Sequence, residues 1–393
     1  MADIERMHRD RRERLREGMR QQGIDGLVLL GNTNVGYATG AIWPFADAGR
    51  ANVEQPVALV VADDEWPHLF TPVRPDDRLR AALPADHVHG PMYLDFDEGV
   101  QQFAAQVADL LPPGAVVAID EWTHALRRER SILFAADAPV DATRLINAAK
   151  LCKTPDELAC LREALRITEV ANAAVQARLA PGVRQTELTA TFLRAAFEAG
   201  ADANILDPMW QVMPLRRDEG PWTTTGDLAC PLLTTERELQ VGDVVWTDTA
   251  VSYAGLHSDF GRTWIVGREP STRQREQFDR WRAIMDAVLD VTRSGATGAE
   301  LTGAAIEAAG GVKPWMPHFY LGHGLGVDTA EMPFVGSDLG EAFDAQLVLA
   351  AGMILTLEPV LWDDGAAGYR AEEVVLITED GWEPMTDYPY DPF

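Results

Sequence analysis

Gly242-Asp-Val-Val-Trp-Thr-Asp248 is an apolar run of strand length that ends on a carboxylate, and eleven residues later His257-Ser-Asp-Phe-Gly-Arg-Thr263 supplies a second one, Asp259. Toward the C-terminus three more potential ligands follow in order. His323 is set among glycines in Gly322-His-Gly-Leu-Gly326, Glu358 closes Gly352-Met-Ile-Leu-Thr-Leu-Glu358-Pro359, and Glu372 sits in Gly368-Tyr-Arg-Ala-Glu-Glu-Val-Val-Leu376. In a chain of net charge −27, a surface role would explain any one of these acids. It does not explain their recurrence in apolar, strand-like surroundings. Four carboxylates and one imidazole are hard or borderline ligands, suited to Mn, Fe(II), Co or Zn and not to Cu(I) or an iron–sulfur cluster. Two divalent cations would be neutralised by the four carboxylates while the histidine stays neutral.

These motifs resemble the pita-bread metallopeptidase family of prolidase, aminopeptidase P and methionine aminopeptidase, which also contains creatinase, and the resemblance covers nearly the whole chain. It implies an α+β fold with two domains. Residues 1–150 would form a smaller creatinase-like α/β domain. Residues 151–393 would form the pita-bread catalytic domain, a pseudo-symmetric curved antiparallel sheet backed by helices. It further implies a homodimer and two divalent metal ions (Mn, Fe, Co or Zn) held by Asp248, Asp259, His323, Glu358 and Glu372. In the family one Asp and one Glu bridge the metals, and a water between them can reach a pKa near about 7.

The resemblance fails at the groups that move protons. Family peptidases place a histidine upstream of the first aspartate, yet residues 205–243 contain none, and the usual interval lands near Cys230 and Pro231. Another should follow the metal histidine by seven residues in a His-Glu-x-Pro motif, where this chain reads Ala330-Glu-Met-Pro333. A third usually stands four residues before it, at Phe319, with His318 one place away. A positioned acid or base contributes about 10²–10⁴-fold in rate, so a substitute is needed for hydrolysis. Asp328, just after the glycine-wrapped histidine, is either that substitute or an idle loop aspartate. His318 either points toward the metals or ends a strand, and strand alternation turns His257 away from Asp259. Arg370 either orients Glu372 or a substrate acid, or forms a structural ion pair. Cys230 is a nucleophile or, more commonly for a lone cysteine, a small buried hydrophobe.

Elsewhere the chain reads conventionally. Its 393 residues, 47% of them apolar, are enough for two cores. Its acidity argues against nucleic acid and anionic membrane surfaces as partners and fits a small-molecule or short-peptide substrate. No run approaches a membrane span, Met1–Gln22 lacks a signal-peptide core, and three cysteines are no disulfide framework, so a cytoplasmic setting is expected. A charged helix through Arg11–Arg20 precedes strand-like runs at Gly26–Leu30, Val57–Ala62 and Val116–Ile119, and Asn32 and Asn34 read as turn residues. Thr154-Pro-Asp-Glu157 is a capping-box start for a helix with Leu158, Leu161, Leu165, Val170 and Val175 on one face. Further helices are predicted through Glu187–Ala199 and Arg273–Val291. Trp210, Trp222, Trp315 and Trp362 flank the ligand motifs, as pocket walls or as core.

The expected function is a dinuclear-metal hydrolase of the Xaa-Pro peptidase type, cleaving a C–N bond in a short peptide or small amino-acid-derived substrate. One alternative is a metal-dependent lyase resembling the dimethylsulfoniopropionate lyase branch, with Asp328 as base. The long interval from His323 to Glu358 favours that branch, and the absence of a further aspartate in Asp248-Thr-Ala250 disfavours it. The other alternative is a non-catalytic binding protein on the same fold, against which the complete ligand set speaks.

Overall fold

The structure is a computed structural model that describes residues 2–41, 56–72, 83–134, 140–216 and 234–390; Trp222, Cys230 and Pro231 lie outside the described residues. The chain divides into two compact units, Met1–Lys150 with Thr154–Asp156, and Leu151–Lys153 with Glu157–Phe393.

The first unit is built on a six-stranded mixed sheet. Its strands are β1 (Gly26–Leu29), β2 (Val57–Val61), β3 (His68–Phe70), β4 (Val88–His89), β5 (Val117–Ile119) and β6 (Val140–Asp141), in the order β4-β3-β2-β1-β5-β6. The central β1 pairs antiparallel with β2 and parallel with β5. All three are apolar along their length because both faces of the sheet are covered. Helix Ile4–Gln22 starts where the Asp3 side chain accepts from the Arg6 N–H and stops at Gly23, which takes the left-handed φ of 66° that a side chain disfavours. Asn32 and Asn34, expected in a turn, instead open the helix Asn32–Thr39. The cause is Asp120, whose carboxylate accepts from the Leu30 and Gly31 N–H groups and from Asn34 Nδ2, so the strand passes directly into a helix.

In the second unit, helix Pro155–Gln176 buries Leu161, Leu165, Ile167, Ala171 and Val175. Val170, expected on that face, is 43% exposed, because at 100° per residue it points nearly opposite to the buried stripe. Among the described residues all strand pairings in this unit are antiparallel. One sheet holds β7 (Ala203–Met213), β8 (Val244–Tyr253), β9 (Leu256–His257) and β10 (Phe260–Ile265), ordered β10-β8-β7 with β9 on β8. A second holds β11 (Gly322–Gly324), β12 (Glu331–Val335), β13 (Ile354–Leu357), β16 (Glu373–Ile377) and β17 (Trp382–Pro384), ordered β12-β11-β13-β16-β17. Strands β14 (Val360–Asp363) and β15 (Ala367–Arg370) form a hairpin.

Helices back both sheets. Helices Pro155–Gln176 and Gln185–Glu198 pack Ile167, Leu188 and Phe192 with Trp210, Val245 and Trp264. Helix Thr272–Val291, opened by a Ser271–Gln274 capping box, packs Trp281, Met285 and Val288 with Leu355, Leu357 and Val375. Trp210 and Trp315 belong to these cores, while Trp362 lies edge-on to Trp246 at 6.0 Å. Among the described residues no helix is long and apolar enough to cross a membrane.

Candidate metal centre

Strand pairing gathers the five expected ligands. Asp248 on β8 lies opposite Gly261 on β10, and Asp259 stands just before β10 begins. On the second sheet, His323 in β11 pairs with Thr356 of β13, Glu358 follows β13, and Glu372 precedes β16. The two sets meet through the backbone, where the Glu372 N–H donates to the Gly261 carbonyl at 3.1 Å. One oxygen from each of Asp248, Asp259 and Glu372 lies within 4.8 Å of the others. His323 Nε2 reaches Asp259 Oδ2 at 3.0 Å and Glu358 Oε1 at 3.5 Å, which joins the remaining two residues to the cluster.

Glycines make this convergence possible. A Cβ on Gly261 would stand 2.8 Å from Glu372 Oε1, and one on Gly322 or Gly324 would meet the Thr356 or Met332 carbonyl at 2.5 or 2.2 Å. Glycine is therefore needed on each side of His323 so that β13 and β12 can close on its strand. The histidine's tautomer is set locally, since Nδ1–H donates to the Gly324 carbonyl at 2.9 Å and leaves Nε2 for the carboxylates or an ion. Ser258 fixes the Asp259 turn. Its Oγ accepts from the Val251 N–H and lies 2.6 Å from Thr168 Oγ1 on the backing helix.

Arg370 is the cation within the cage. Its Nη1 lies 3.1 Å from Asp248 Oδ2, and its Nη2 donates to Glu358 Oε2 at 2.6 Å and to Glu372 Oε1. One guanidinium cannot balance four carboxylates. Burial pushes the Asp248 carboxyl up to about 7 despite Arg370, and it raises Glu358 and Glu372 as well. Burial also lowers the His323 imidazole, but the hydrogen bond and charge of Asp259, with the charge of Glu358, lift it to about 9. Asp248 Oδ1 and Glu372 Oε2 are shielded from solvent, and among the described residues neither has a hydrogen-bond partner. An excess of buried negative charge with orphaned oxygens fits divalent cations. Asp248 is the least buried of the carboxylates at 16% side-chain exposure, against 1% for Glu372, so the cage opens on its side.

The proposed substitutes for the missing histidines are placed unequally. His318 does not join the cage. It takes a left-handed φ of 58° and its ring, 67% exposed, lies 2.6 Å from Asp338. His257 is buried, with its N–H on the Gly326 carbonyl. Asp328 lies in the segment between β11 and β12, half-buried, with its N–H directed at Glu331 Oε2. Glu331, from the motif that carries alanine at 330, is buried against Lys153 Nζ at 2.6 Å.

Sequence reading missed two side chains beside the cage. Tyr320 lies edge-on to the His323 ring at 5.0 Å, and burial with the charges of Glu358 and Asp259 raises its phenol well above the usual range. Arg262 is buried and donates to the Glu372 carbonyl at 2.6 Å, and also to the Gly261 and Tyr388 carbonyls. Its place beside Gly261 in the second ligand motif was the available signal.

Comparison with known proteins follows the same outline. Residues 159–379 match the model of metallopeptidase family M24, and residues 11–152 match that of the creatinase/prolidase N-terminal domain. The chain is 28% identical over 379 residues to a probable dipeptidase PepE of Mycobacterium bovis, covering 94% of this chain and 92% of that one. It is 26% identical to an Xaa-Pro dipeptidase of Lactobacillus delbrueckii subsp. lactis, covering 95% and 96%, and 24% identical to a creatinase of a Bacillus species, covering 97% and 91%. The X-Pro aminopeptidase structure from Thermotoga maritima superposes with a TM-score of 0.78 at 21% identity, covering 97% and 99%, which shows the shared fold.

Proposed function

The chain belongs to metallopeptidase family M24 and is a metallohydrolase, and from that premise we propose that it hydrolyses the C–N bond of short peptides, X-Pro dipeptides foremost. The observation that carries the proposal is the convergence of Asp248, Asp259, His323, Glu358 and Glu372, with two buried carboxylate oxygens unpartnered among the described residues. In this reading those five residues hold two divalent ions. When bound, such ions supply Lewis acidity toward a carbonyl and lower the pKa of water to about 7. The relatives named above are dipeptidases and a creatinase and lend nothing to the lyase or the non-catalytic alternative.

The protein's own residues do the rest. Arg370 sets the rotamers of Glu358 and Glu372 by donating to both. Arg262 and Gly261 fix the backbone from which Glu372 projects. Tyr320, its phenol held protonated, is a hydrogen-bond donor packed on His323. Asp328 is the proposed proton carrier, since its segment begins immediately after β11 and is anchored by the buried Glu331. A homodimer and a cytoplasmic setting complete the proposal.

The test is turnover of X-Pro dipeptides, longer X-Pro peptides and proline-free dipeptides by Mn-, Co-, Fe- and Zn-reconstituted protein, with Glu372→Ala as control. Cleavage of the X-Pro dipeptides that the control loses by about 10²–10³-fold is expected, the scale of removing a group that acts in the transition state. Fully metallated protein that cleaves none of the panel would overturn the peptidase reading.

A further inference from the structure

A second group of metal-type ligands lies in the first unit, at the edge of its sheet. Asp64 sits in the turn before β3, His68 opens β3, His87 closes the 3-10 turn Ala85–His87, and His89 ends the edge strand β4. His68 Nε2 and His87 Nε2 both face the Asp64 carboxylate, at 3.6 and 3.2 Å, and the two imidazoles stack at 4.5 Å between centroids. Ligand atoms of Asp64, His68 and His87 all lie within 4.8 Å of one another.

The opposite ring nitrogens are engaged as metal-bound histidines require. His87 Nδ1 is 3.1 Å from Asp86 Oδ1, and His68 Nδ1 is 3.0 Å from His89 Nε2. A proton on each Nδ1 satisfies both contacts and leaves both Nε2 lone pairs on the Asp64 side. The Asp64 carboxylate is itself held, since its Oδ1 accepts from the Trp66 N–H at 3.0 Å. In the metal-free protein a proton on His87 Nε2 bonds the Asp64 oxygens at 3.2 and 3.3 Å. With the Nδ1–H tautomers both Nε2 lone pairs face the carboxylate, and a cation among the three groups turns that opposition into coordination.

We propose that Asp64, His68 and His87 form a zinc-type site, oriented by Asp86 and His89, that clamps the short edge strand β4 and its preceding turn to β3. Two imidazoles and one carboxylate match Zn²⁺ and its borderline neighbours, with a fourth position left for water. Bonds of about 2.0–2.1 Å place neighbouring tetrahedral ligands about 3.4 Å apart, close to the 3.6 and 3.2 Å that separate Asp64 Oδ2 from His68 Nε2 and His87 Nε2. The ion reaches the site on the Asp64 side, where the side chain is 33% exposed against 6% for His68. None of this depends on the cage in the second unit.

The experiment uses the untagged full chain with the cage disabled by Asp248→Asn/Glu372→Gln. Zn²⁺ is counted by equilibrium dialysis with elemental analysis, and Co²⁺ is read by visible absorption. One equivalent of Zn²⁺ retained at micromolar free metal, with the strong visible bands of tetrahedral Co²⁺, is the expected result. Adding His87→Gln should abolish that equivalent, and adding Asp86→Asn should weaken it about 10–100-fold, as for other groups that orient a metal-bound histidine. If the cage variant does not fold, the comparison is wild type against His87→Gln alone, with circular dichroism confirming the fold, and the loss expected is one equivalent. No Zn²⁺ bound outside the cage, or an equivalent that survives both His87→Gln and His68→Gln, overturns the proposal.

Discussion

The smallest residue at the centre makes the sharpest claim about it. Gly261 lies beneath the Glu372 carboxylate, and any side chain there meets Glu372 Oε1 at 2.8 Å and Arg370 Nη1 at 3.1 Å. Gly261→Ala should therefore displace both side chains while leaving the β8–β10 pairing intact. A misplacement approaching 1 Å can cost about 10²-fold, so kcat/KM should fall by about that factor with fewer metal ions retained and little change in melting temperature. Wild-type turnover and metal content in Gly261→Ala would show that the Glu372 position is not what the centre depends on. The five candidate ligands could be picked out because each interrupts or closes an apolar strand run, where an ionisable side chain needs a reason. Gly261, Arg262 and Tyr320 could not, although all three stand inside or beside the ligand motifs. Their roles rest on a close approach, a cross-strand carbonyl and a ring packed on His323, and none of these leaves a spacing pattern in the chain.

At the scale of elements, the segment after β11 depends on a buried ion pair. Lys153 Nζ and Glu331 Oε1 lie 2.6 Å apart with side chains only 3% and 7% exposed, and Glu331 Oε2 faces the Asp328 N–H. Removing one partner of such a pair strands a buried charge and typically costs about 3–5 kcal/mol. Lys153→Met should show that loss in urea unfolding. Lys153→Met/Glu331→Leu, which removes both charges, should recover most of the stability but not the order of the Asp328 segment. A loss below about 1 kcal/mol in the single variant would mean the pair is not sealed from water.

Elements also show where periodicity reads well and where it slips. The helix begun at Pro155 was visible from its capping signature, yet Val170 proved exposed because a five-member apolar set tolerates one member off the stripe. The helix Asn32–Thr39 was hidden because its stop-and-turn composition is overruled by Asp120, a residue 86 positions beyond Asn34.

For the molecule as a whole, charge is the organising quantity. The chain carries 61 acidic against 34 basic residues, and most of that excess can be hydrated at the surface. The centre in the second unit cannot shed its charge that way. Asp248, Asp259, Glu358 and Glu372 bring four negative charges, against one positive on Arg370 and one on His323, whose imidazole is lifted to about 9, so the ion-free cluster stands at −2 (−4 + 2) when all are ionised. Without ions the cluster must hold protons, which is why burial raises Asp248, Glu358 and Glu372. Divalent ions held there would displace those protons, and ions that bind the folded unit alone would stabilise it by mass action, about 2.7 kcal/mol at a hundredfold excess over Kd. At about 2–4 °C per kcal/mol for a unit of this size, the melting transition of Mn²⁺-loaded protein should lie roughly 5–10 °C above that of chelator-treated protein. Mn²⁺ is the ion to use, because an oxygen-rich cage favours it more than the imidazole pair at the edge of the first unit does. Asp248→Asn/Glu372→Gln should melt at one temperature with or without Mn²⁺, and above the chelator-treated wild type if the neutral amides keep their packing. A wild-type shift that persists in this double variant would place the stabilising ion somewhere other than the carboxylate cage.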